Sequence, residues 1–163
     1  MLFLIMSWVN IRLRIKWKLK EIWHIPYNIY MCVRFPFLRP NVGYFGQYCW
    51  YRSIPVGWRK AFGIQLCKEL KSALKRSKCK NFVITDVKEK FGSLRIYEYG
   101  SPKEVHDIIN KYDYISYHTC IECGRIATKR SKGYILPYCD DCGKDKLDYS
   151  IYYKDYDFYG WSN

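Results

Sequence analysis

The segment CIECGRIATKRSKGYILPYCDDCGK, residues 120–144, contains two Cys-x-x-Cys-Gly pairs separated by fifteen residues. This spacing is typical of a zinc site, and a two-residue gap lets one tight turn present both sulfurs to a single ion. We therefore expect a zinc ribbon over residues 119–144, with two short strands and a turn near residues 131–133. The alternatives are a reduced cysteine cluster without metal and a pair of disulfides. The predicted ligands are Cys120, Cys123, Cys139 and Cys142.

Four thiolate ligands determine what kind of metal site this would be. Catalytic zinc keeps one coordination position for water or substrate, whereas a site with four cysteines has no open position. The predicted cofactor is therefore a structural Zn²⁺, which adds folding free energy and takes no part in chemistry.

The insert between the cysteine pairs is basic. It carries four cations and no acidic residue, and such a tip on a metal-pinned hairpin can contact a phosphate backbone. It could equally serve as a protein docking surface or as a simple structural staple. The predicted polyanion-binding residues here are Arg125, Lys129, Arg130 and Lys132.

The charge of the whole chain is distributed unevenly. Residues 1–80 contain 16 Lys and Arg and only two acidic residues, whereas residues 81–163 contain 12 Lys and Arg and 13 acidic residues. A basic half of this kind attracts polyanions such as nucleic acid, phosphorylated small molecules or an acidic protein. The alternative is a surface that is merely well solvated.

The stretch NIRLRIKWKLK, residues 10–20, alternates apolar and basic residues, which is typical of a strand. Its apolar residues also recur at helical spacing, with a serine before them and Pro26 after them, and we favour a helix over residues 8–23. In either conformation one face is apolar and the other basic, which predicts an arm that binds phosphates or an anionic surface. An edge element docked on the core is the alternative. The basic residues concerned are Arg12, Arg14, Lys16 and Lys18.

The central part of the chain is predicted to alternate between helix and hairpin. Residues 24–56 contain four prolines and many rings, so we expect an irregular segment, with one short strand at most, wrapped around the core. Residues 57–78 predict a long helix because apolar residues recur every fourth position from Trp58 to Leu74. Two β-rich runs between Phe82 and Tyr99 flank Gly92 and predict a β-hairpin.

The second strand of this hairpin offers a possible ligand face. Arg95, Tyr97 and Tyr99 alternate with Leu94 and Ile96, so they share the opposite face of the strand. A guanidinium beside phenol rings can bind phosphate and stack on bases. The alternative is an arginine paired with a nearby glutamate, residue 89 or 98, and rings that cover the sheet.

A second helix and an acidic tail complete the chain. Ser101, Pro102 and Glu104 have the spacing of a capping box, so we expect a helix that begins there and ends before the cysteine module. Residues 145–163 combine aspartates with tyrosines and could fold onto the basic surface, bind a partner, or pack as a final segment.

Several classes of protein are disfavoured. The three histidines lack a recognisable nucleophile or metalloprotease motif, and a nuclease site built from Asp86, Glu89 and His118 is the weakest alternative, so we expect a protein that is not an enzyme. His118 is also weighed as an alternate zinc ligand, although a helix-end residue is preferred. No signal peptide and no apolar run long enough for a membrane span are recognised, which favours a reducing cytoplasm.

The motif KEKFGSLRIY, residues 88–97, followed by a helix and the cysteine pairs, resembles a family of small bacteriophage and prophage proteins. These carry a K-E-K-F-G-x-L-R-x-Y hairpin before a cysteine-pair zinc module. The resemblance covers residues 57–143 and implies a viral origin and a host-cytoplasm setting. It implies no mechanism.

The sequence thus predicts an α+β protein with four parts. These are a basic aromatic arm and wrapping segment (1–56), a helix–hairpin–helix core (57–118), a four-cysteine zinc ribbon (119–144) and an acidic tyrosine-rich tail (145–163). The predicted function is non-catalytic binding of a polyanion, above all nucleic acid. The alternatives are an inhibitor or adaptor that docks on a host protein, including a host defence protein, and a protein that sequesters a signalling nucleotide.

Overall fold

The computed structural model describes residues 26–40, 49–131 and 133–144. The predictions for the arm over residues 8–23, with its four basic residues, for Lys132 and for the tail at 145–163 lie outside the described residues. Within them the architecture is mixed, with helices and two small antiparallel hairpins, in agreement with the predicted α+β class.

Residues 26–34 form a helix, α1, where the sequence predicted irregular structure. The helix buries Met31 and Cys32, and the 3-10 turns Pro36–Leu38 and Trp50–Ser53 continue the same packing with Leu38, Trp50 and other apolar residues. The described residues of this segment, 26–40 and 49–56, therefore pack into the core as predicted, but as helix and turns rather than as an irregular wrap.

The long predicted helix is confirmed as α2, residues 56–76. It comprises Val56–Trp58, a π-helical turn over Arg59–Gly63 and the regular helix Ile64–Arg76. Its predicted apolar stripe is buried over most of its length, since Trp58 and Leu70 are at most 1% exposed and only Leu74 at its end is half-buried.

The predicted hairpin is formed by strands β1 (Val83–Lys90) and β2 (Ser93–Tyr99). Its two-residue loop consists of Phe91 and Gly92, which both have positive φ, +52° and +80°. Positive φ at both loop positions is the geometry of a type I′ turn, whose twist matches that of the paired strands. Glycine takes up this conformation without strain, whereas Phe91 holds it with its ring 67% exposed.

Helix α3, Lys103–Tyr117, covers the edge of β2. The backbone N–H of Leu94 donates to Ser116 Oγ at 2.7 Å, which satisfies an edge group of the strand. The predicted capping box is wrong. Pro102 occupies the cap, the Ser101 hydroxyl donates to Glu98 of the hairpin instead, and Glu104 pairs with Arg76 of α2. Both side chains thus link elements rather than cap one.

One core joins α1, α2, the hairpin and α3. Trp58, Leu66 and Leu70 of α2 pack in it with Val87 of β1 and Val105 of α3, all of them at most 4% exposed. No helix among the described residues is both long enough and apolar enough to span a bilayer.

Candidate metal centre

The four predicted cysteines come together. Their Sγ atoms all lie within 4.8 Å of one another, and Cys123 Sγ and Cys139 Sγ are 3.5 Å apart. Cys120 and Cys139, the first cysteine of each pair, are buried, while Cys123 and Cys142 are half-buried. None of the eight cysteines forms a disulfide in this structure. The cluster could hold one metal ion.

The two pairs present their sulfurs through the same backbone turn. The N–H of Gly124 donates to the carbonyl of Cys120 at 3.0 Å, and the N–H of Gly143 donates to that of Cys139 at 2.9 Å. Each bond closes a turn around the two-residue gap, so both cysteines of a pair face the same point.

The surroundings favour thiolate at Cys123, whereas desolvation raises the pKa of the Cys142 thiol to about 12. Arg125 Nε donates to Cys123 Sγ at 3.4 Å, and this guanidinium holds the pKa of the Cys123 thiol below its usual range. Thiolate is the form that binds metal. Outside the cluster, burial raises the pKa of the Cys49 and Cys67 thiols to about 12, so these core cysteines stay protonated.

Two short strands lie between the pairs, as predicted. They are β3 (Lys129–Arg130) and β4 (Pro137–Tyr138), which pair antiparallel. The connection is tightened by Ser131, whose N–H donates to the carbonyl of Leu136 at 3.0 Å and whose hydroxyl accepts the N–H of the same residue.

The cysteine module, described over residues 119–131 and 133–144, is docked on the start of α2. The N–H of Gly57 donates to the carbonyl of Ile121 at 2.8 Å, and the indole N–H of Trp58 donates to that of Thr119, also at 2.8 Å. A methyl group on Gly57 would lie only 2.6 Å from the backbone carbon of Ile121. No local sequence pattern predicts this docking. The apolar stripe of α2 already explains Trp58 as a core residue, and a glycine at the start of a helix gives no sign of a contact with a distant segment.

A second contact joins the module to the tip of the hairpin. Tyr134 donates its hydroxyl proton to Glu89 at 2.6 Å, and Glu89 also accepts the N–H of Gly92 at 2.6 Å. Arg130 donates to the carbonyl of Tyr117, and its guanidinium lies 3.1 Å from the centroid of that ring. The motif KEKFG and the module therefore form one packed unit.

Three of the four basic residues predicted in the insert have partners within the protein, and Lys132 lies outside the described residues. Arg125 pairs with Asp141 at 2.7 Å, Lys129 pairs with Asp140 at 3.1 Å, and Arg130 is only 6% exposed. These contacts give the cations a structural role. Their predicted binding of a polyanion stays a prediction.

The predicted ligand face on the hairpin is present in part. Tyr97 and Tyr99 are 41% and 73% exposed, on the face opposite to Leu94. Arg95 pairs with Asp113 of α3 and not with Glu89 or Glu98, which were the expected partners. Asp113, eighteen positions later in the chain, therefore holds the arginine at the border of the face.

The residues considered for a nuclease have other contacts. Asp86 pairs with Lys88, and Glu89 is bound to the loop of the hairpin and to the module. His118 caps the end of α3 beside Tyr114 and is not a member of the metal group, and burial with the nearby charge of Arg130 lowers its pKa.

The exposed side of α2 carries a basic stripe that the sequence analysis did not include among the site residues. It consists of Lys68, Lys71 and Lys75, all exposed, at i, i+3 and i+7. These positions fall on one face of the helix and span about 10 Å. None of the three takes part in an ion pair between described residues, and the bond from Lys71 to the carbonyl of Arg34 leaves its charge unneutralised. The helical period placed these lysines outside the core, and the lack of acidic partners among the described residues makes the stripe a candidate site.

An open groove of about 540 Å³ lies beside this stripe, between α2 and α3. Two ion pairs cross it, Arg76 with Glu104 and Lys111 with Glu69. These pairs neutralise Arg76 and Lys111, whereas Lys68, which also lines the groove, has no acidic partner among the described residues. The unneutralised positive charge of the groove therefore belongs to the stripe.

Comparison of the chain with protein-family models, with curated proteins and with solved structures found no match. The relation to bacteriophage proteins therefore stays a prediction from the hairpin and cysteine motifs.

Proposed function

We propose that this protein is a non-catalytic zinc-binding protein of viral origin, active in the host cytoplasm, that binds nucleic acid through the basic stripe on α2. The observation that carries the proposal is the stripe itself, in which Lys68, Lys71 and Lys75 lie on one exposed helix face without acidic partners among the described residues. Such a row of lysines gains affinity for polyanions by releasing their condensed counterions.

The choice of zinc rests on the ligand set. Four cysteine sulfurs within 4.8 Å of one another suit Zn²⁺, which accepts tetrahedral thiolate ligation at about 2.3 Å. A site closed by four protein ligands contributes folding free energy. In the proposed role the ion holds the module, and the module in turn braces the start of α2 and the hairpin tip.

The distribution of charge supports polyanion binding by α2 rather than by the module. Lys129 and Lys144 have aspartate partners, whereas Lys68 and Lys75 have none among the described residues. A paired lysine must give up or share its partner before it can bind a phosphate, so its net gain is smaller. The stripe also belongs to the strongly basic half of the chain.

The matched variants K68Q/K75Q and K129Q/K144Q test this proposal, because each removes two positive charges. We expect K68Q/K75Q to weaken duplex DNA binding about tenfold or more at 0.15 M salt and to reduce the slope of log K against log salt by about 1.8. K129Q/K144Q should change both quantities much less. The measurement is fluorescence anisotropy of the zinc-loaded proteins over a salt series, with melting temperature and zinc content as controls.

Each outcome has a definite meaning. A larger loss in K129Q/K144Q would move the interface to the cysteine module, as the sequence analysis predicted. An absence of binding by the unmodified protein at physiological salt would overturn the proposed function.

A second candidate, docking on a host protein, is favoured by the outer side of α1. Ile29, Tyr30 and Val33 are between 51% and 65% exposed there, and large exposed apolar side chains in a row are typical of protein interfaces. Capture of a host protein that is lost in I29E/V33E and retained in K68Q/K75Q would support this candidate over nucleic acid binding.

A further inference from the structure

The outer face of the β1–β2 hairpin combines exposed rings with cations. The register places Tyr97 opposite Asp86, Arg95 opposite Lys88 and Tyr99 opposite Val83. The inner face, with Ile84, Val87 and Leu94, is buried in the core. The outer face therefore belongs to a hairpin whose inner face is held in the core.

The spacing of Tyr97 and Tyr99 along the strand determines which form of nucleic acid can stack on both rings. Residues i and i+2 of a strand lie on the same face about 7 Å apart. This is twice the rise of about 3.4 Å between successive bases of a B-form strand. Two adjacent bases that stack on Tyr97 and Tyr99 must therefore be separated from each other, which a single strand permits and a duplex does not.

Cations border the rings. Lys88 Nζ lies 4.8 Å from the centroid of the Tyr97 ring and also contacts Asp86. Lys90 is exposed on the same side nearer the loop, and Arg95 is held at the border by Asp113. Lys88 and Arg95 each share their charge with an aspartate, and Lys90 has no ion pair among the described residues. Cations beside stacking rings are the combination used by surfaces that bind single strands, where the groove follows the phosphates and the rings take the bases.

We propose that the outer face of the hairpin binds single-stranded nucleic acid, with one base stacked on Tyr97 and the next on Tyr99, and with Lys88 and Lys90 beside the phosphates. This inference rests on the proposed function and names its substrate class. The stripe on α2 supplies attraction for any polyanion, whereas the rings select the unpaired strand. A stacking contact accepts every base because every base has a π-face, so we expect little sequence preference.

The variants Y97L/Y99L and Y97F/Y99F distinguish the contribution of the aromatic ring from the contributions of the hydroxyl group and of apolar bulk. Leucine keeps an apolar side chain but has no π-face, whereas phenylalanine keeps the face and loses only the hydroxyl. With labelled (dT)20 as the probe, we expect Y97L/Y99L to bind about thirtyfold more weakly or worse and Y97F/Y99F to bind within about twofold of the unmodified protein. The salt slope should stay the same in both, because rings release no counterions.

Two further measurements make the result specific. Binding of a 20-base-pair duplex should be unchanged in Y97L/Y99L. The variant Y114L removes a ring that is 66% exposed on α3, and it should leave (dT)20 binding unchanged. Melting temperature and zinc content show whether each variant is folded.

The possible failures are distinguishable. If Y97L/Y99L binds (dT)20 as well as the unmodified protein does, while K68Q/K75Q binds duplex more weakly, this inference is wrong and the proposed function stands. If the unmodified protein binds neither probe, the proposed function fails and this inference fails with it.

Discussion

Replacing Cys120 by serine is expected to abolish tight zinc binding and to lower the free energy of unfolding by about 3 kcal/mol or more. Structural zinc sites in small modules supply an apparent binding free energy of about 10–16 kcal/mol at neutral pH. Loss of a ligand should weaken zinc binding by more than the roughly 10–100-fold that loss of an outer-sphere partner costs. Zinc stoichiometry by mass spectrometry and thermal melting are the measurements.

The position of Cys120 explains why the effect should reach the core. It is fully buried, and its neighbours Thr119 and Ile121 provide the carbonyl groups that bind Trp58 and Gly57 of α2. If the module unfolds without its ion, those bonds are lost and the indole N–H of Trp58 must find water or remain unpaired. We therefore expect the tryptophan fluorescence to change together with the loss of zinc.

Cys79→Ser is the matched control, since this cysteine is half-buried and lies outside the metal group. Its Sγ contacts only the carbonyl of Gly100 among the contacts described, and serine can make the same hydrogen bond. We expect one zinc ion per chain and a nearly unchanged melting temperature. If the Cys120 variant also keeps one tightly bound zinc ion and the parental stability, the four-cysteine site is wrong.

Gly57→Ala is expected to destabilise the protein by about 3 kcal/mol or more, although alanine is the better helix former by about 1 kcal/mol. The added methyl group would lie 2.6 Å from the backbone carbon of Ile121 and closer still to the carbonyl oxygen of Cys120. Backbone atoms cannot rotate away, so the module would have to move off α2 and break the bond from the Gly57 N–H. Urea unfolding of the zinc-loaded protein measures the effect.

Ser72→Ala provides the comparison on the same helix. Ser72 is exposed, so alanine there should leave stability unchanged or raise it slightly. A Gly57→Ala protein as stable as the Ser72→Ala protein would show that the module does not dock on α2 in the way described.

The parts of the fold that follow from local pattern were predictable. The four-residue recurrence in α2, the β-rich runs around Gly92 and the spacing of the four cysteines each specify one element through neighbours in the chain. Helix α1 was not predictable in this way. Its buried residues, such as Met31, lie in the same helix as exposed apolar residues such as Ile29 and Val33, so no apolar face could be recognised between Pro26 and residue 34.

The partners of polar side chains could not be read from the sequence, because they are decided by residues far along the chain. Arg95 pairs with Asp113 rather than with a glutamate of its own hairpin, and Ser101 bonds to Glu98 rather than capping α3. In the same way the insert looked uniformly basic, whereas in the structure Asp140 and Asp141, just after the third cysteine, pair with its cations.

The sequence by itself determined most of the elements and the clustering of the four cysteines, since helical period, turn residues and cysteine spacing act over a few residues. Only the tertiary structure decided how these elements are joined and which charges remain available. The docking of the cysteine module on Gly57 and Trp58 joins residues more than sixty positions apart, and no local pattern encodes it. The exposed lysine stripe became a candidate site for the same reason, because whether a charge is neutralised depends on the side chains that folding brings beside it.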